Sequence, residues 1–473
     1  MKRKTHALGW LAVGLFATEL GFAAQSPVQS QGTPPSVSNY SLNQDGILQT
    51  VFLSGHTFDK SNPFFKSIGI NGRSCSTCHV ASAAWTISPN EVFGRFIRTL
   101  GRDPIFHSFD GTNSPNADQS NLFARFRASS MLLNKGLIRV GIGIPAKAEF
   151  TLDAVDDPYG FASATELSLF RRPMPTTNLR FLTGVMWDIR EFTPLTGTLP
   201  TGFASMTGAQ NRDNLMFDLL HQANDATRGH ARSDRDLTGE EATAIVDFEN
   251  SVTTAQILDF KAGWLDEDGA TAGPANLALQ NFYVTINDVL GADHFGSPFS
   301  TSVMTMFDGW TGSHNRHRAQ IARGAVLFNT KPIEIVAVNG LNDALHLPVI
   351  HGFCTTCHDS PNVGNHSVAL PINIGLTDAS RRTPDMPLYT LKNKVTGVTL
   401  QTTDPGRALQ TGKWQDIGKF KGPVMHGVAA RAPYFHNGLA ANLKEVVNFY
   451  NTRFNVGITD AESDDLVAFL KTL

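Results

Sequence analysis

All four cysteines of the chain fall in two Cys-x-x-Cys-His motifs, Cys75-Ser76-Thr77-Cys78-His79 and Cys354-Thr355-Thr356-Cys357-His358. This spacing is the attachment signature of c-type haem. Two thiols three residues apart reach the two vinyl groups of one porphyrin, and the adjacent histidine turns its imidazole onto the iron. The pair of motifs predicts two covalently bound haems, with His79 and His358 as proximal iron ligands. A zinc knuckle or a redox dithiol is the alternative, but either leaves both histidines without a task, and a structural zinc site draws its four ligands from motifs held close together.

Met1-Lys2-Arg3-Lys4 is a basic start, followed by an apolar stretch from Ala7 to Ala24 that ends in small residues. Residues 1–24 read as a signal peptide, with Ala23 the better cleavage position, and imply export to the periplasm, where haem attachment would follow. An uncleaved membrane anchor is the alternative, although Glu19 interrupts a run already short for a span of about 20 apolar residues. The composition, 473 residues with 41% hydrophobic, 17% charged and a formal net charge of −3, describes a folded chain of two or three domains and argues against nucleic acid as a partner. With every cysteine assigned to haem, none remains for disulfides, so stability must come from packed cores and buried porphyrins.

The elements that must position these motifs come in a doubled order. Residues 25–44, rich in Pro, Ser and Gln, read as a flexible tether. Downstream of each haem motif stands the same pattern: Leu237-Thr238-Gly239-Glu240-Glu241 with Ile245, Val246 and Phe248, and Ile458-Thr459-Asp460-Ala461-Glu462 with Leu466, Val467 and Phe469. Each predicts a helix opened by a Thr-x-x-Glu capping box and apolar on one face. Upstream of the second motif, Ile321 to Phe328 reads as a short helix whose glycine permits close packing, with Val51 to Phe58 as a weaker counterpart before the first. Gly136 to Ile142 and Ala148 to Leu152 alternate and β-branch like the strands of a small β hairpin. A helical run is expected near Leu277 to Leu290. The expected fold is mainly α: two class I cytochrome c-like haem domains in tandem, residues 45–262 with an insertion and residues 316–473, joined by a connection over 263–315.

Two longer segments resemble a known family. Arg171-Arg172-Pro173-Met174-Pro175-Thr176-Thr177-Asn178 with Val185-Met186-Trp187-Asp188, and Ala432-Pro433-Tyr434-Phe435-His436-Asn437-Gly438 with Leu443-Lys444-Glu445-Val446-Val447, are similar to stretches of the bacterial dihaem cytochrome c peroxidases. The similarity is closer in the C-terminal half. It implies a reactive first haem on His79 and an electron-transfer second haem on His358. The position of a ligating methionine in the respiratory peroxidases is taken here by Tyr450, as in the dihaem enzyme of tryptophan tryptophylquinone biosynthesis; Met425 is the alternative ligand. Trp187 aligns with the tryptophan between the haems.

The resemblance also sets expectations that the chain meets only partly. Gln222 matches a glutamine over the reactive iron, whereas the glutamate about ten residues later has no counterpart, which leaves His230 as acid–base group or as a solvated loop histidine. A calcium ion would lie between the domains, but the asparagine that helps hold it is replaced by Arg172 or Pro173, leaving the carbonyls of Arg431 and Pro433. The implied reaction uses hydrogen peroxide or another small oxidant, with electrons from a small redox protein (a c-type cytochrome or a cupredoxin) or an oxidisable substrate. An oxygen-using dihaem oxygenase and a plain dihaem electron carrier are the competing readings.

Overall fold

The computed structural model describes residues 36–53, 58–193, 208–291 and 293–473. The expected leader and the start of the tether lie outside them. Its eleven strands among the described residues are β1 (Ser36–Leu42), β2 (Gly46–Phe52), β3 (Ile138–Ile142), β4 (Phe150–Asp156), β5 (Leu167–Arg171), β6 (Val252–Asp259), β7 (Gly263–Trp264), β8 (Ile333–Val336), β9 (Val349–Gly352), β10 (Leu388–Asn393) and β11 (Thr399–Thr402). They form four sheets, in orders β1-β2-β6-β7, β11-β10-β4, β3-β5 and β8-β9. The expectation of a mainly α fold is therefore wrong: the described residues are 32% helix and 17% strand. The sequence marks β3 and β4 as strands; the other nine, many of them short, carry no comparable signal.

Four local expectations also change. Residues 36–42, assigned to the tether, are an edge strand on β2, with Gln49 Nε2 donating to the Tyr40 hydroxyl at 3.1 Å. Before the first haem motif stands no helix at Val51 and Phe52 but the end of β2, whose β-branched and aromatic run suits a buried central strand paired with β6. The run near Leu277 is helical only over Pro274–Ala278, where proline starts the helix. Both insertion strands exist, yet they do not form a hairpin: β3 pairs with β5, and β4 crosses to β10 in the C-terminal half. Phe150 of β4 is drawn there by a closed cluster with Tyr389, Leu391 and Ala408.

The capped helices follow the sequence closely. Glu241 N donates to Thr238 Oγ1 at 3.2 Å while Thr238 N donates to Glu241 Oε2 at 2.9 Å, starting the helix Gly239–Ser251. Glu462 and Thr459 repeat the exchange at 3.3 and 2.8 Å before Asp460–Leu470. The helix Arg316–Thr330 packs on Asp460–Leu470 at Gly324, where a Cβ would stand 2.1 Å from the Asp465 carbonyl oxygen. Only glycine allows that approach. Residues 34–473 cluster as one unit, consistent with the cross-strand pairing of the two halves.

Candidate functional site

Both Cys-x-x-Cys-His motifs fold alike. Each begins in one 3-10 turn, Cys75–Thr77 and Cys354–Thr356. In the first, Ser74 N donates to Thr77 Oγ1 at 3.0 Å; in the second, Phe353 N donates to Thr356 Oγ1 at 2.9 Å. The amides of His79 and His358 donate to the carbonyls of Cys75 and Cys354 at 3.0 and 3.2 Å. Six residues on, a carbonyl fixes each ring: His79 Nδ1 donates to Trp85 O at 3.0 Å, and His358 Nδ1 donates to Gly364 O at 2.6 Å. A carbonyl can only accept, so Nδ1 carries the proton and Nε2 presents its lone pair for a metal. Trp85 is in turn held by sheet β1-β2-β6-β7, its Nε1 donating to Thr50 Oγ1 at 3.2 Å.

The surroundings suit a porphyrin rather than reactive thiols. Burial pushes the Cys78 thiol up to about 11 and those of Cys354 and Cys357 up to about 12, opposite to the depressed values of redox cysteines. Burial also lowers His79 to about 4, keeping it a neutral imidazole. Among the described residues, no group of metal-ligating side chains includes a cysteine. Beside the first motif lies a cleft with about 1570 Å³ of space between its atoms, part of it open to solvent, reaching from Cys75 and His79 to Trp187, Gln222 and His230. Buried polar atoms without a partner line it: Glu249 Oε2, His426 Nδ1 and Arg431 Nε. Such orphans are costly unless a bound group meets them. Haem fits the site: two thiols, a fixed imidazole and cationic side chains suited to propionates converge on one cleft.

The structure brings three of the sequence-derived residues together on this cleft. Gln222 lies half-buried on the helix Gly208–Gly229. His230, just past that helix, donates from Nδ1 to Asp110 Oδ2 at 2.6 Å, and buried Asp110 also pairs with Arg73. A solvated loop histidine would lack this carboxylate. Trp187 donates from Nε1 to Arg172 O at 2.8 Å and sits 6.1 Å, centroid to centroid, from the His436 ring.

At the second motif, Tyr450 on the helix Leu443–Phe454 belongs to one apolar cluster with Cys354 and Cys357. Burial, and then those two thiols, hold its phenol above the ordinary range. Met425 packs with Cys354 against a different apolar cluster, and its sulfur would be 3.0 Å from a Cβ built on Gly364, the residue whose carbonyl holds His358. Next to Trp187 in sequence, Asp188 enters a buried ion network in which Arg171 donates to Asp188 Oδ2 at 2.6 Å and to Asp404 at 2.7 and 2.9 Å. Burial opposes ionisation of Asp188, and Arg171 and Arg190 outweigh it, so its carboxyl lies below the usual range.

Sequence reasoning missed Glu249 and His426, and named Arg431 only for its carbonyl. For Glu249 a signal was present: it stands on the apolar face of the first closing helix where the aligned residue of the second is Leu470. Burial raises its carboxyl to about 8. His426, buried with Nε2 donating to Asn362 O at 2.5 Å, carries no comparable signal.

No family model matches the chain. It is 29% identical over 195 residues to cytochrome-c peroxidase IdrP1 of Denitromonas iodatirespirans, covering 37% of this chain and 46% of that protein. Over 131 residues it is 30% identical to cytochrome-c peroxidase IdrP2 of Pseudomonas sp. (strain SCT), covering 25% of this chain and 35% of the relative. The chain thus spans less than half the length of these curated relatives. Similar solved structures include a MauG-like protein associated with microbial copper homeostasis, at 15% identity and a TM-score of 0.34 over 87% of each chain. A variant of the diheme peroxidase BthA from Burkholderia thailandensis shares 16% identity at a TM-score of 0.29, covering 93% of this chain and 95% of that one. By sequence, the relatives of this chain are cytochrome-c peroxidases, the family its motifs resemble, and haem is the cofactor they imply.

Proposed function

We propose that the chain is an exported, periplasmic dihaem c-type oxidoreductase that reduces hydrogen peroxide, with the first haem reactive and the second an electron-transfer centre. Electrons come from a small redox protein, a c-type cytochrome or a cupredoxin, or from an oxidisable substrate. The observation that carries this reading is the cleft at the first attachment turn, where Gln222, His230 and Arg431 line the same space as Cys75, Cys78 and His79. When bound, the first haem supplies an iron that takes oxidising equivalents from peroxide.

The chain's own residues do the rest. His79 and His358 are oriented by carbonyls that keep Nε2 free. Gln222 offers an amide to position a small oxidant. His230, fixed at Nδ1 by Asp110, can hold or move a proton at Nε2, the task left open by the missing glutamate. Trp187 stands between the halves as an aromatic step for the electron. Tyr450 is preferred to Met425 as ligand of the second iron because it shares a cluster with both Cys354 and Cys357, whereas Met425 shares one with Cys354 alone and its sulfur lies beside Gly364.

The test is made on the exported holoprotein. A pyridine haemochrome count of two haems per chain, electron paramagnetic resonance with one high-spin and one low-spin ferric signal, and peroxide-dependent oxidation of a reduced cytochrome are expected. Two low-spin signals with no response to peroxide would instead make the chain an electron carrier.

A further inference from the structure

Arg172 follows β5 into the seam between the halves and is 5% exposed. Its side chain donates only to main-chain carbonyls: Nη1 to Lys135 O at 2.7 Å, Nη2 to Ile87 O at 2.7 Å and to Arg431 O at 3.1 Å. Its own amide donates to His436 O at 2.7 Å, and its carbonyl accepts from Trp187 Nε1 at 2.8 Å. Space is reserved for it, since a Cβ on Gly136, at φ +61°, would stand 2.4 Å from Nη1.

Carbonyl oxygens converging from separate segments are the donor set of a hard cation such as Ca²⁺. Here the shared oxygen, Arg431 O, is one of the two carbonyls left for the calcium that the family resemblance implies, and a guanidinium already bonds it. A fixed planar cation with five N–H donors meets several carbonyls at once. A second, doubly charged ion at the same oxygen would be repelled by it. The donor set therefore does not fit calcium.

We propose that the Arg172 guanidinium is the resident cation of this seam, tying Ile87 and Lys135 of one half to Arg431 of the other and making the junction independent of metal. This does not rest on the peroxidase reading, and its test reads metal content and stability rather than turnover.

The full-length, haem-loaded protein is dialysed against chelator, then against calcium, with bound calcium measured by atomic emission and thermal midpoints recorded in each state. Expected are no stoichiometric calcium and the same midpoint with chelator or calcium. Arg172→Gly vacates the cage while leaving its carbonyls, so its midpoint should fall and be raised again by millimolar calcium or guanidinium ion. Arg172→Lys should lose less. One calcium per wild-type chain, with a midpoint that chelator lowers, would overturn the proposal. So would a folded Arg172→Gly protein as stable as wild type. Should that variant not fold, the wild-type measurement and Arg172→Lys decide.

Discussion

As the proposed ligand of the second iron, Tyr450 is the side chain on which the character of the second site turns. Anionic oxygen is a hard donor that favours oxidised iron, whereas the thioether of methionine favours the reduced state. Tyr450→Met should raise the reduction potential of the second haem, read by spectroelectrochemical titration, with both haems retained. Met425→Leu should leave that potential close to wild type, because its sulfur lies against Gly364. The opposite pattern, an unmoved potential in Tyr450→Met and a new high-spin signal in Met425→Leu, would make the methionine the ligand.

At the scale of elements, the two closing helices differ in charge at one position that both bury. Both start with the same capping box and bury the aligned pairs Ile245/Leu466 and Phe248/Phe469, yet Glu249 of the first stands where the second has Leu470. Burial raises the Glu249 carboxyl from the ordinary 4.5 to about 8. As pH rises, the unfolded chain loses this proton first, so the contribution to stability is complete below about pH 4.5 and is lost as pH climbs through about 8. Glu249→Gln removes that dependence. Denaturant unfolding at a series of pH values should show the variant gaining on wild type from pH 5 to pH 8; a constant difference would mean that Glu249 is already ionised in the folded protein.

The whole molecule is tied together by strand pairing as well as by Arg172. Strand β4, from the first half, is antiparallel to β10 of the second, and fully buried Phe150 packs with Tyr389 and Leu391. Phe150→Ala should cost about 3–5 kcal/mol. The loss should appear in both halves together, as one unfolding transition followed at the Soret bands of both haems. Two separated transitions would show instead that each half melts alone.

How much was legible in the sequence depended on how local the physics was. Each attachment motif, each capping box and the helix at Gly324 is specified by residues within a few positions of one another, and all appear where the spacing put them. The resemblance to the dihaem peroxidases also rested on short contiguous segments, and the relatives agree with it. Pairing between distant strands was not legible, because alternation marks a strand without naming its partner: β3 and β4 look like a hairpin and are separated by their burial against different neighbours. The sequence by itself thus determined two Cys-x-x-Cys-His turns and the capped helices downstream of them. Only the tertiary structure decided that Asp110 orients His230, that Glu249 is buried without a partner, and that a guanidinium stands among the carbonyls of the seam, since each depends on groups brought together from far apart in the chain.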